Sequence, residues 1–235
     1  MKRPRTIRSN SGYESDRAIS SPIVPYRFND PVVVLSDPHG PQASAIRSIA
    51  AELDARHFAR GHRGLAVCGV SRAVGVTFMT VNIGIALAQQ GLSVLIIDAN
   101  QRNSGLQSLI EPAKPSLGLA DLLSNSQLSL NDVIHADVLP NLSLVYAGLA
   151  VEGREMLGSE MLRKTLEAAM RDHDLTLVDT PAANLSAEAR RVASVLRYAV
   201  VVARKNQTFA EDITTLVREF GEDGVDVVGT VLNAT

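Results

Sequence analysis

The most constraining feature of this chain is the stretch from residue 65 to residue 102, LAVCGVSRAVGVTFMTVNIGIALAQQGLSVLIIDANQR. It runs from a short apolar segment into a loop of small residues, then a helical pattern, then a second apolar segment closing at Asp98. In residues 77–90, Phe78, Val81, Ile85 and Ala88 recur at helical spacing, and Gly91 supplies a left-handed stop. Residues 94–97 form a continuous apolar run, the pattern of a strand buried on both faces of a parallel sheet. A strand–loop–helix–strand unit of this kind limits the fold to the α/β class. It also puts the loop where a ligand of such a sheet sits.

The loop is Gly69-Val70-Ser71-Arg72-Ala73-Val74-Gly75-Val76-Thr77. A phosphate-binding loop needs glycines so that the backbone can curl, amides at a helix start, a lysine for the outer phosphates and a hydroxyl for magnesium. Gly75 and Thr77 have the required spacing. The lysine position holds Val76, and Gly69 lies one residue before the first glycine position, which falls at Val70. On the residues alone, a tight strand-to-helix turn and a phosphate loop both stay open.

Downstream, strand and helix patterns alternate. Residues 142–146, 175–179, 198–203 and 225–232 read as strands, and 160–172, 187–196 and 209–220 as helices. Alternation of this kind predicts a doubly wound, mostly parallel sheet with helices on both faces, a three-layer α/β/α domain. The loop 69–77, Asp98 and Asp179 then fall together at the carboxyl ends of the strands. Apolar strands that end in aspartates suit a magnesium–phosphate site, because magnesium takes a few carboxylates together with water and phosphate oxygens.

Other chemistries find less support. The formal charge is −2, from 23 Lys+Arg against 25 Asp+Glu, which argues against a dedicated nucleic-acid binder. Cys68 is the only cysteine, so no internal disulfide or multi-cysteine metal site can form, and its place in an apolar strand suits packing. His39, His57, His62, His135 and His173 lack metal-ligand spacing. Neither a Gly-x-Ser-x-Gly elbow nor a G-x-G-x-x-G dinucleotide fingerprint is present. No apolar run reaches the ~18 residues that span a bilayer, and the start has no signal-peptide core, so a cytoplasmic protein is expected.

Residues 1–30, rich in Ser, Pro and Arg without apolar periodicity, read as a disordered basic tail preceding a domain over 31–235. Lys2, Arg3, Arg5 and Arg8 make its start a candidate tether to an anionic membrane surface, at the inner face; a plain solvated tail is the other reading. Residues 31–35, PVVVL, read as a first strand or extended arm, 37–41 as a turn, and 42–58 as an amphipathic helix carrying Ile46, Ile49 and Leu53 on one face.

Several further segments carry a family resemblance. Asp98-Ala99-Asn100-Gln101-Arg102 resembles the DxDxR element, and Leu177-Val178-Asp179-Thr180-Pro181 the Walker B strand, of the bacterial tyrosine kinases of capsule and exopolysaccharide synthesis. Asp37-Pro38, GLADLL at 118–123, Leu139-Pro140-Asn141-Leu142, MLGSEM at 156–161 and Val231-Leu232-Asn233 match in the same order. The resemblance spans 37–233 and implies the deviant P-loop fold these kinases share with the MinD/ParA ATPases. It implies Mg-ATP or Mg-ADP as cofactor, with Gly69, Gly75, Val76 and Thr77 around the phosphates and Thr77, Asp98 and Asp179 about the metal. Asp98 and Asp179 are the implied catalytic carboxylates. It also implies a membrane-embedded polysaccharide copolymerase as partner, and a homo-oligomer.

The sequence departs from the family at telling positions. Val76 replaces the P-loop lysine, Asn100 the second aspartate of DxDxR, and Ala182 the second proline of DTPP. The ExxRxxR oligomerisation positions hold Ser44, Arg47 and Ala50, and no tyrosine cluster follows Asn233. Loss of a fixed cation from phosphoryl transfer costs orders of magnitude in rate. Arg72 in the loop and Arg102 after the strand are the candidates to replace that charge, being permanently ionised and able to grip phosphate in two places. The expected function is a kinase-like regulator of polysaccharide polymerisation and export with a degenerate loop. The alternatives are an active tyrosine kinase or ATPase and a MinD/ParA-like positioning ATPase.

Overall fold

The computed structural model describes residues 26–101, 104–149, 160–185 and 187–234. Seven strands form one sheet in the order β5-β6-β3-β7-β2-β8-β9. These are β2 (Gly64–Gly69), β3 (Val94–Asp98), β5 (His135–Leu139), β6 (Leu142–Val145), β7 (Leu175–Asp179), β8 (Tyr198–Arg204) and β9 (Asp226–Asn233). Only the β5–β6 pair is antiparallel; the other neighbours run parallel. Every residue of β2, β3 and β7 is buried, which is why these strands read as unbroken apolar runs.

Alternate side chains of each strand feed two cores. Leu65, Val67, Val94, Ile96 and Leu177 face one, against α2 (Pro41–Arg56) and α3 (Val76–Gln89). Ala66, Cys68, Leu95, Ile97 and Val178 face the other. There they meet α5 (Leu119–Ser124), α6 (Leu130–Val133), α7 (Glu160–Asp172), α8 (Glu188–Leu196) and α9 (Ala210–Glu222). The doubly wound, three-layer architecture expected from the alternation is thus the observed one.

All residues from Met79 to Ala88 of α3 are buried. A helix apolar all round must be enclosed, and α2 with the segment before it supplies the outer cover. Gly91 ends this region at φ 95°, the left-handed stop expected.

Two expectations near the start need correction. Residues 31–35 do not form a strand or extended arm: α1 is a single helical turn, Val33–Ser36. Asn82 of α3 meets it, with Oδ1 accepting from Val34 N at 3.2 Å and Nδ2 donating to Pro31 O at 3.0 Å and Phe78 O at 2.9 Å. Tertiary hydrogen bonds here outweigh the β-propensity of three valines. The boundary of the tail at residue 30 also moves. Tyr26–Phe28 form β1, paired antiparallel with β4 (Ile110–Pro112), which follows α4 (Leu106–Leu109). The hydroxyl of Tyr26 lies 2.9 Å from Nδ1 of His135. Residues 1–25, with the basic cluster, lie outside the described residues, as does most of the MLGSEM stretch.

Asn82 therefore fastens residues 31–34 to the helix that begins at the phosphate-loop candidate. Asn82→Leu leaves the buried Val34 N–H without its acceptor, which costs about 1–3 kcal/mol. Equilibrium urea denaturation should show the midpoint falling accordingly; an unchanged midpoint would remove the fastening role.

Candidate functional site

β2 ends at Gly69 and α3 begins at Val76, so the loop between them turns the chain from the sheet into a helix whose amino end faces it. Ala73 takes φ 59° and Gly75 φ 96°, while Val74 between them stays at negative φ. Left-handed residues on either side of Val74 curl the backbone tightly, and curled backbone of this kind suits a nest of amides for an anion. The positive end of the α3 dipole lies behind it. Gly75 has a second reason to be glycine: a Cβ there would fall 2.3 Å from Nδ2 of Asn233.

The two aspartates are register partners at the ends of neighbouring strands, Asp98 on β3 and Asp179 on β7. They do different work. Asp98 accepts from Asn100 N at 2.9 Å, Ser104 Oγ at 2.8 Å and Leu106 N at 3.3 Å, so both its oxygens organise the loop that follows it. Asp179, 1% exposed, accepts from Thr77 Oγ1 at 2.6 Å through Oδ2, and its Oδ1 is buried without any partner. Burial raises Asp98 to about 6. Burial, and then the charge of Asp98, hold Asp179 well above the usual carboxylate range, against the opposing Thr77 hydrogen bond.

An unpartnered buried carboxylate oxygen beside a threonine hydroxyl is a donor set for a hard divalent cation. The residues present therefore fit magnesium, with Asp179 and Thr77 as the open pair and Asp98 as the neighbouring charge. Gly105 completes the wall, since a Cβ there would meet Thr77 Oγ1 at 2.7 Å.

Of the residues singled out from sequence, Gly69, Gly75, Thr77, Asp98 and Asp179 gather at this edge. Val76 is half-buried, and its methyl group would lie 2.6 Å from a Cβ on Gly69, so this side chain covers the strand end where a lysine stem would start. Arg72 is exposed, and Arg102 lies outside the described residues. Cys68 is fully buried and burial pushes its thiol up to about 12, which makes it an inert packing group. Arg47 turns back to donate to the Pro38 carbonyl of its own turn. The histidines go elsewhere: His57 meets Tyr198 edge-on and His62 lies tilted against it, while His135 meets Tyr26 and Tyr146 edge-on. Among the described residues no metal-binding cluster of three or more His, Cys, Asp or Glu occurs. Sequence reasoning missed Ser104, Gly105 and Arg204. A hydroxyl six residues after a strand-terminal aspartate carries no spacing signal. Arg204 is visible only as a cation at the end of a strand.

A family model described as an AAA domain matches residues 65–220. Tyrosine-protein kinase ptk of Acinetobacter johnsonii is 30% identical over 194 residues, covering 80% of this chain and 26% of its own length. The chain spans 26–29% of the length of the curated relatives it matches first. Among solved structures, the kinase domain of Escherichia coli tyrosine kinase ETK superposes with a TM-score of 0.80 at 24% identity, covering 87% of this chain and 80% of that one. The septum site-determining protein MinD complexed with Mg-ADP, from Pyrococcus horikoshii, gives 0.61 at 20% identity over 73% and 70% of the two chains. At these identities the structures carry the fold alone.

The carboxylate pair sets a pH dependence. Both acids titrate above their unfolded values, so the native state binds more protons between ordinary carboxylate pKa values and about 6. Stability from this pair is therefore greatest below the unfolded pKa and declines as pH rises through the folded one. Melting followed by circular dichroism should show Asp179→Asn more stable than the parent at pH 7, with the gap closing as pH falls toward 4. A parent and variant with parallel pH profiles would contradict it.

Proposed function

The chain belongs to the AAA domain family, in the tyrosine-kinase branch that its sequence resembles, and from that premise we propose a regulatory rather than a fast catalytic role. It is a tyrosine-autokinase-like regulator of capsular or exopolysaccharide polymerisation and export, with a degenerate loop. It binds Mg-ADP or Mg-ATP weakly and acts through contact with a membrane-embedded polysaccharide copolymerase. The observation that carries this reading is the open pair at the strand ends: Thr77 donates 2.6 Å to Asp179, whose second oxygen is buried and unpartnered. That arrangement retains the metal half of the site, while Val76 withholds the lysine charge from the phosphate half.

The relatives named as kinases support the same branch over a MinD-like positioning role. Magnesium, when bound, would neutralise phosphate charge. The amides of residues 74–76 and the α3 amino end would hold the anion, and Asp98 would keep Asn100, Ser104 and Leu106 in place. Arg72 and Arg102 stay as candidate phosphate cations from the sequence.

Calorimetry tests this directly. Mg-ADP should bind with an affinity that needs millimolar nucleotide, and chelation of magnesium should weaken it. Asp179→Ala should abolish the magnesium dependence, and Val76→Lys should tighten binding by about tenfold, the effect of roughly 1.4 kcal/mol. No heat and no thermal shift at millimolar Mg-ADP would defeat the reading.

Among the described residues no helix is long and apolar enough to cross a membrane. We propose peripheral attachment at the inner face of the membrane through Lys2, Arg3, Arg5 and Arg8. Full-length protein should sediment with phosphatidylserine vesicles at low salt and be released as the Debye length falls below ~8 Å. Equal binding by a chain starting at Tyr26 would exclude the tail.

A further inference from the structure

Three successive carbonyls of the loop are gripped from outside it. Gln207 Nε2 reaches Arg72 O at 3.5 Å, Arg204 Nη1 donates to Ala73 O at 2.9 Å, and Asn233 Nδ2 donates to Val74 O at 3.0 Å. Two of these side chains come from neighbouring strand ends and Gln207 from the turn that follows β8. Arg204 closes β8 and Asn233 closes β9, where they are register partners. β8 also lies beside β2, pairing Val202 with Gly69, so Arg204 stands two residues beyond the point where the loop leaves the sheet.

The frame behind Arg204 is braced. Its amide donates to Thr208 Oγ1 at 2.9 Å, its carbonyl accepts from Thr208 N at 2.9 Å, and Lys205 N donates to Asn233 O at 2.8 Å. The guanidinium is thus presented by a closed turn. In a trans peptide the carbonyl and the following amide point in opposite directions, and the described residues contain no cis bond. A donor holding a carbonyl on the outer side therefore fixes the next amide toward the inner side. A charged donor also polarises that peptide, strengthening its amide as a donor in turn. Of the three grips only the one on Ala73 comes from a charged donor, and the amide of that peptide belongs to Val74, in the middle of the loop.

We infer that Arg204 is a positioning residue of the phosphate loop, orienting and polarising the Ala73–Val74 peptide so that the backbone supplies part of the attraction a loop lysine would give. The inference rests on the proposed Mg-nucleotide reading for its ligand, a nucleoside diphosphate, but not for its effect on the loop. Arg204 acts through the main chain. It differs in this from Arg72, whose side chain is exposed and whose carbonyl is itself one of those gripped.

The test compares Arg204→Gln and Arg204→Lys with the parent chain. Glutamine keeps a donor and removes the charge, whereas lysine keeps the charge and changes its shape. Equal melting temperatures establish that all three fold. Calorimetry with Mg-ADP and with adenosine then separates phosphate from base. Arg204→Gln should weaken Mg-ADP by about tenfold, Arg204→Lys should recover most of it, and adenosine should bind all three alike. A glutamine variant with parental affinity, or a parallel loss of adenosine binding, would overturn the inference.

A ligand-free measurement distinguishes this failure from failure of the nucleotide reading. In the unliganded chain the Val74 amide resonance should move in Arg204→Gln more than in Arg204→Lys. If the parent binds no Mg-ADP, the functional reading falls while a shifted Val74 amide still upholds the positioning role. An unmoved Val74 amide rejects it.

Discussion

A carboxylate kept out of water with one oxygen unsatisfied is a cost that folding alone gives no reason to bear. Asp179 is in that state, and the arrangement around it follows from the sheet order. β7 lies between β2 and β3, so the residue ending β7 must share its edge with the loop that leaves β2 and with Asp98 at the end of β3. Thr77, one residue into α3, donates its hydroxyl to it. A second carboxylate beside it raises the cost, because two neighbouring charges in a dry site each oppose ionisation of the other. The site is therefore poised for a cation, which would relieve both the open oxygen and the repulsion at once.

The central unit was legible because its physics is local. A strand covered on both faces must be apolar, a helix enclosed all round must be apolar, and the acidic ends of Asp98 and Asp179 stand out against that background. The helix at Glu160–Asp172 and the strand at Leu175–Asp179 fall where the pattern puts them. The segment between Leu106 and Leu139 was not legible. Its helices are single turns or barely two, its strands are short, and one runs antiparallel at the sheet edge, so neither the helical nor the strand period has room to repeat. The valines at 32–34 misled for the opposite reason. Their local preference is clear, but Asn82, 48 residues away from Val34, decides their conformation.

In the site, residue identity was readable while division of labour was not. Asp98 and Asp179 look alike as strand-terminal aspartates. Only coordinates show that Asp98 spends its oxygens on Asn100, Ser104 and Leu106, while Asp179 keeps one in reserve. Val76 was legible as a missing charge, but its packing over Gly69 was not. That packing matters, since an apolar cover at the strand end favours a folded loop without favouring phosphate.

The same loop therefore faces two demands that a lysine-bearing loop would meet with one residue. Its backbone must stay curled at Ala73 and Gly75, and its amides must attract an anion without an ammonium among them. The first demand is met from β9, where Asn233 packs so close to Gly75 that no side chain fits there. The second falls to whatever cation can reach the loop's peptides, and β8 ends in one. Because β8 and β9 are the two outermost strands on that side, loop geometry is tied to the edge of the sheet as well as to its centre. A contact that displaced β9 would loosen Asn233 and, through its pairing with Arg204, the Ala73–Val74 peptide. The curl of this loop is thus tied to the ends of β2, β8 and β9 together, and a glycine-rich motif is only its most visible part.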